Sequence, residues 1–180
     1  MAGFLSQLLP RDSDKGVLLS LLIRLENLAW FSDLRSSAYA YPVVLAIHLT
    51  AISWFGAMIV ATDLRLLGWA LPDTPAAEVV RRLRTGKRIG FVIAAGCGFV
   101  LFAAKAEEYY YNPFFRAKIL LFVMVAIHAL VFRSVYSESK NVVNGRAKMA
   151  AGLSLGLWLG ILCAGRAIGY VVGRAGMHYR

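Results

Sequence analysis

Two histidines stand inside apolar runs that carry no charged residue: His48 in "YPVVLAIHLT" (residues 41–50) and His128 in "VMVAIHALVF" (residues 123–132). The chain holds 3 histidines in all, and the third, His178, lies near the C-terminus. An imidazole in hydrocarbon is costly without a partner, so an ionisable residue at that depth is a candidate for function. Neutral imidazole is the commonest biological metal ligand. A pair of them facing each other across a helix bundle can hold a b-type haem. The competing reading for each ring is structural, a hydrogen bond to a carbonyl or hydroxyl of a neighbouring helix. The chemistry expected from the pair is electron transfer through one haem b, with His48 and His128 as its two axial ligands and no separate catalytic residue.

A haem brings carboxylates, and four cations gather toward one end of the apolar segments to meet them: Lys105, Arg116, Lys118 and Arg166. Guanidinium pairs with carboxylate in bidentate fashion. Arg166 interrupts an apolar run with no Asp or Glu nearby in sequence, which makes it the most pointed of the four. The competing reading is that these long side chains reach up to phospholipid headgroups.

The elements that must position these residues follow from the apolar blocks. Ala38 to Thr62 contains no Asp, Glu, Lys or Arg, and a helix of that length crosses a hydrocarbon layer of roughly 30 Å. Pro42 falls in its first turn, where proline is tolerated. Three more spans follow, giving four over about 38–67, 87–108, 113–137 and 147–172. "LPDTPAAEVVRRLRTGKR" (residues 71–88) reads as a polar loop in which Asp73 or Thr74 caps a short helix, and "YYYNP" (residues 109–113) as an aromatic belt and turn. Residues 16–34 carry apolar positions at helical spacing broken by Arg24, Glu26, Asn27 and Asp33. That pattern predicts an amphipathic helix lying in the interface, anchored by Trp30 and Phe31. Residues 1–37 thus form an N-terminal segment, 38–172 an all-α membrane domain of four transmembrane helices, and 173–180 a tail.

Composition supports this. The chain is 59% hydrophobic and only 17% charged, with a mean hydropathy of +0.61, whereas soluble domains carry about a quarter charged residues. The net charge of +10 sits in loops flanking apolar segments, so it points to membrane topology and anionic lipid and not to nucleic acid. By the positive-inside rule the 63–88 and 137–148 loops face the cytoplasm and both termini face out. That makes the chain a multi-pass protein of a membrane with a cytoplasmic face. Cys97 and Cys163 lie inside apolar segments without a CxxC or CxxCH motif, which fits small packing residues.

Depth along the helices checks the ligand pair. His48 lies ~15 Å below Ala38 and His128 ~22 Å below Pro113 at 1.5 Å per residue, an offset of ~7 Å that helix tilt can absorb but that leaves open ligation by one histidine and not the other. Small residues recur every fourth position at Gly86, Gly90, Ala94 and Gly98, and again at Gly152, Gly156, Gly160 and Ala164. Such stripes serve close helix packing and also leave room for a flat ligand.

"IHLTAISWFGAMIVATDLRLL", "RRLRTGKRIGF" and "FFRAKILLFVMVAIH" together resemble the bacterial CopD-like membrane superfamily, which includes copper-resistance permeases and HemJ-type protoporphyrinogen oxidases. The likeness covers roughly residues 38–172 and is greatest to an uncharacterised branch sharing "DLRLLGWAL" and "AGRAIGY"-like stretches. It implies a four-helix bundle and b haem. His48 would match the first-span histidine, Lys118 a lysine opening the third span, and His128 a histidine further along it. Arg166 and the N-terminal segment are not part of the HemJ pattern.

The leading expectation is therefore a b-type cytochrome exchanging electrons with a quinol or a redox partner protein, in a homo-oligomer or a larger complex. Three alternatives stand beside it. The first is a HemJ-like porphyrinogen oxidase. The second is a copper permease drawing on Met58, Met124, Cys97, Cys163, Met177 and His178. The third is a non-catalytic accessory subunit with structural histidines.

Overall fold

In the computed structural model, the backbone is described for residues 12–132 and 145–175, and the side chains for residues 16–132 and 145–170. The described residues form seven helices and no strand. Two short helices come first, α1 (Asp12–Glu26) and α2 (Ala29–Ser36). α3 (Ala40–Leu67), α4 (Ala76–Ala104), α6 (Pro113–Val131) and α7 (Gly145–Ala175) are long helices, and α5 (Ala106–Tyr111) is a single short one between α4 and α6. α3, α4, α6 and α7 are each long and apolar enough to cross a membrane. Their outward faces carry bare hydrophobic side chains such as Ile47, Trp54, Val92, Leu120 and Leu159. The protein is an all-α, multi-pass membrane bundle. Residues 133–144 and 176–180, which include the end of the third predicted span, Lys140 and His178, lie outside the described residues.

The long helices pack in the order α4–α3–α7–α6, with α3 and α7 in the middle. α4 and α6 meet chiefly at the end of the bundle where α5 joins them, through Phe102 and Phe115, whose rings stack 5.3 Å apart. This is called the α5 end below, and the opposite end the basic-loop end.

Local chemistry sets the helix limits. α3 stops at Gly68, which adopts a left-handed φ of 82°. The Gly68 N–H bonds Arg65 O at 3.1 Å and the Trp69 N–H bonds Leu64 O at 2.9 Å. This is a Schellman ending, which glycine permits because it has no Cβ to clash. α6 starts at Asn112, whose Oδ1 accepts from the N–H groups of Phe114 (3.0 Å) and Phe115 (3.2 Å), with Pro113 in the first helical position. Asn112→Ala removes that cap. It is expected to cost about 0.5–2 kcal/mol, measured as a lower unfolding midpoint in detergent.

Two boundaries differ from the sequence reading. The short helix expected behind Asp73 or Thr74 and the helix of the second span are one, because α4 begins at Ala76 and runs unbroken to Ala104, with no side-chain cap bond at its start. Its charged first turns are self-consistent. Glu78 pairs with both Arg81 and Arg82 one turn on, and Lys87 reaches across to α3 to donate to Thr62 Oγ1 at 2.6 Å. Such i,i+3 and i,i+4 pairs support a helix outside the apolar layer. The predicted amphipathic helix over 16–34 is two helices broken at Asn27–Leu28. Trp30 is 86% exposed, as an anchor would be, whereas Phe31 turns inward against α3 and α4.

The two glycine stripes also part company. Gly86, Gly90 and Gly98 of α4 face Met58, Trp54 with Phe55, and His48 of α3, so this stripe is the α3–α4 packing seam. Gly152 and Gly156 of α7 face open space, and only Gly160 touches a neighbour, Leu121 of α6. α7 packs instead through Ala147, Ala151, Leu157, Trp158 and Ile161, all buried.

Candidate functional site around His48 and Lys118

His48 projects from α3 into the seam with α4. Its Nδ1 lies 2.8 Å from the carbonyl oxygen of Ala94. A carbonyl can only accept, so Nδ1 carries the proton and donates it. That fixes the tautomer and leaves Nε2 with its lone pair, the state in which a histidine binds metal. Metal-ligating histidines characteristically donate their other N–H to a carbonyl or carboxylate in this way. No hydrogen bond among the described residues engages His48 Nε2. Room for the ring exists because position 98 is glycine. A Cβ there would stand 2.9 Å from His48 Cε1, closer than carbon atoms tolerate.

Lys118 lies on α6 at the same height. Its Nζ is 3.6 Å from where a Cβ on Gly165 of α7 would be, and it sits 6.0 Å from the centre of the Phe122 ring. The lysine is half-buried; it meets Gly165, 7 residues along α7 from Trp158, and His48 lies 8 residues along α3 from Gly56, which faces Trp158, so the two stand at about the same height. No carboxylate pairs with it among the described residues. A half-buried ammonium with no counter-charge favours an anion beside it.

The other predicted residues are not brought to this place. His128 donates from Nε2 to Ala150 O of α7 at 3.0 Å, is 7% exposed, and packs 4.9 Å from the Phe132 ring. Two counts measure its distance from His48. Ala150 neighbours Ala151, which packs beside Leu66; Leu66 lies 18 residues beyond His48 on α3, or roughly 27 Å along the axis. His128 also lies 10 residues beyond Lys118 on α6, or roughly 15 Å. By either count the imidazoles stand at different heights. α7 also lies between the helices that carry them in the packing order, so one iron cannot take both in this arrangement. A single haem held by two histidines therefore does not fit these residues. Among the described residues, His48 keeps one ring nitrogen, Nε2, outside any hydrogen bond.

Arg166 turns outward on α7, stacks 4.9 Å over the Tyr170 ring and donates to its hydroxyl at 3.3 Å. Arg116 donates to Tyr110 O at 3.0 Å and lies 5.3 Å over that ring. Lys105 pairs with Glu108 at 3.3 Å and lies 5.5 Å over the Tyr41 ring. Arg116 and Lys105 belong to the α5 end, not to the interior. Among the described residues, no group of three His, Cys, Asp or Glu could hold a metal ion on its own. The candidate copper ligands among the described residues are dispersed too. Met58 packs on Gly86, Met124 is exposed, Cys97 lines a side cleft and Cys163 is exposed.

Gly98 was visible in the sequence only as one member of a packing stripe, and Gly165 lies outside both stripes. Tyr41 and Tyr109 close the site toward the α5 end, their hydroxyls 3.4 Å apart. Burial, aided by the Tyr41 hydroxyl, pushes the Tyr109 phenol well above the ordinary tyrosine range. The Tyr109 phenol thus stays protonated and neutral above the interior at any physiological pH.

The fold and this interior define a four-span membrane bundle with a histidine and a lysine turned into its core near one end. Within that class, the chain belongs to the family of unknown function DUF6644, whose model matches residues 28–171. No curated protein and no solved structure matches it.

Proposed function

We propose that the protein is a membrane-embedded b-type haem protein taking part in electron transfer, with His48 as the iron ligand and Lys118 as the partner of a haem carboxylate. The observation that carries this is the His48 Nδ1–H···O=C bond to Ala94, 2.8 Å long, which leaves Nε2 as a basic nitrogen inside the bundle. When bound, a haem supplies reversible one-electron chemistry. The chain's own residues hold and bound the site. Ala94 O orients the imidazole, Gly98 gives the ring its place, and Lys118 supplies the positive charge. Tyr41, Tyr109, Phe102 and Phe115 cover the interior at the α5 end.

The resemblance to the CopD-like superfamily agrees with this reading, since it matches His48 and Lys118 to the first-span histidine and third-span lysine of the HemJ-type proteins. A HemJ-like oxidation of a porphyrinogen by the same site is the second reading, and the match of these two residues to the HemJ pattern favours it over a copper permease. The setting is a bacterial inner membrane with both termini outside, the electron donor a quinol or a partner protein, and the assembly a homo-oligomer or larger complex.

The test is the haem content of protein purified in detergent after haem-supplied expression, measured as the pyridine haemochrome. About one haem per chain is expected, following from one available ligand nitrogen. Protein that remains free of haem under those conditions would end the cytochrome reading. Lys118→Met is expected to weaken haem retention roughly tenfold, the scale of one lost charge-assisted contact, as read by haem transfer to an apo-globin acceptor.

A further inference from the structure

α2 has only eight residues and buries none of them. A helix that short is not stable alone, so something must hold it against the bundle. One charged cluster does so. Arg35, at its last turn, pairs with Glu26 at the end of α1. The Arg35 Nη1 also donates to the carbonyl of Ala104 at 3.2 Å, and Glu26 Oε2 accepts from the N–H of Glu107 at 2.9 Å. Ala104 ends α4 and Glu107 lies in the first turn of α5. Terminal carbonyls and N–H groups of this kind have no partner within their own helix. One ion pair thus satisfies both sides of the α4–α5 break and ties α1 and α2 to it.

What α2 covers is an apolar cleft of about 440 Å³. Trp30, Phe31 and Leu34 form its α2 wall, and Val44 of α3 with Ile93 and Cys97 of α4 lie opposite. Its surface is almost wholly carbon. Val44 is one turn from His48, and Cys97 adjoins Gly98, the residue against the imidazole. The cleft therefore flanks the seam that holds His48, on the side facing lipid.

We propose that α2 is a lid on this cleft and that the Arg35–Glu26 pair is its latch, so that release of the latch opens the α3–α4 seam beside His48 to the bilayer. The latch suits that role because both side chains keep part of their surface exposed, so the charge-assisted bond is strong but water remains close enough to replace it. α2 contributes no fully buried side chain that would have to be extracted. The proposal stands independently of whether the interior binds haem.

Cys97 is a built-in reporter. In a Cys163→Ser background it is the only thiol in the chain, since the sequence has 2 cysteines. The rate of its reaction with N-ethylmaleimide, followed by intact mass in detergent, reads the open fraction. Arg35→Ala and Glu26→Gln are each expected to raise that rate by roughly tenfold or more, the change in an opening equilibrium that follows loss of a charge-assisted bond. Hydrogen–deuterium exchange on the same samples is expected to rise in residues 12–36 and to stay unchanged in α3, α4 and α7. An unchanged labelling rate in both variants would overturn the lid. So would faster labelling accompanied by faster exchange throughout the four long helices, because the seam would then be opening by general unfolding.

Discussion

His48→Ala is expected to purify without haem, whereas His128→Ala keeps its full complement. The asymmetry follows from the two hydrogen bonds. His48 donates from Nδ1 to Ala94 O and retains Nε2 for iron; His128 spends its Nε2 proton on Ala150 O near the basic-loop end. Loss of His48 removes the one imidazole at the height of Lys118. Loss of His128 removes a tie between α6 and α7, while the Ala150 carbonyl keeps its bond within α7. Its effect belongs to stability, about 0.5–1.5 kcal/mol for the one hydrogen bond lost. The check is the Soret absorbance per mole of protein in both variants beside the unfolding midpoint of each. Equal loss of haem in the two would mean that both histidines reach one iron, and that the helices rearrange when haem binds.

Gly56→Ala is expected to be among the most damaging single-methyl additions in the molecule. A Cβ at Gly56 would lie 2.5 Å from Trp158 Nε1 and 2.8 Å from its Cε2 and Cζ2. Trp158 is 5% exposed and stands edge-on to Phe55 at 5.3 Å. A rigid indole held on two sides cannot give way as a flexible side chain would, so α3 and α7 must separate. Overpacking of this kind costs about 1–3 kcal/mol, and here it falls on the contact between the two central helices. Gly156→Ala is the matched control. Nothing lies within 4 Å of its added Cβ, and alanine is the better helix former by about 1 kcal/mol, so that variant should be as stable as the parent or slightly more so. Unfolding midpoints of the three proteins in the same detergent decide the matter. Gly86→Ala should fall between them, because the atoms it meets are the Sδ and Cε of the flexible Met58.

The spans were legible where apolar runs begin and end abruptly. α3 starts two residues after the predicted Ala38, and α6 starts at the predicted Pro113, because the cap and proline chemistry there is local. The start of α4 was not legible from hydropathy. Its first three turns are charged, and they are helical through side-chain pairs and the reach of Lys87 to Thr62. The height of the histidines was not legible either. Counting from the span starts treats the first and third helices as level partners, but α7 lies between them in the packing order and α6 has its own register against it. The small-residue stripes looked alike in sequence and proved unlike in use. What decides between packing and open space is the residue on the neighbouring helix, which a single chain segment does not specify. Lys118 was visible as a cation near a span boundary, and only the fold shows that it turns inward beside Gly165 while Arg166, one residue further on α7, turns out.

The most direct test of single-histidine ligation is the electron paramagnetic resonance spectrum of the ferric protein at low temperature. A high-spin axial signal is expected, given by iron with one imidazole and no second strong protein ligand, and lost in His48→Ala. A low-spin rhombic signal of iron between two imidazoles, or a preparation that gives no iron signal after haem-supplied expression, would contradict it.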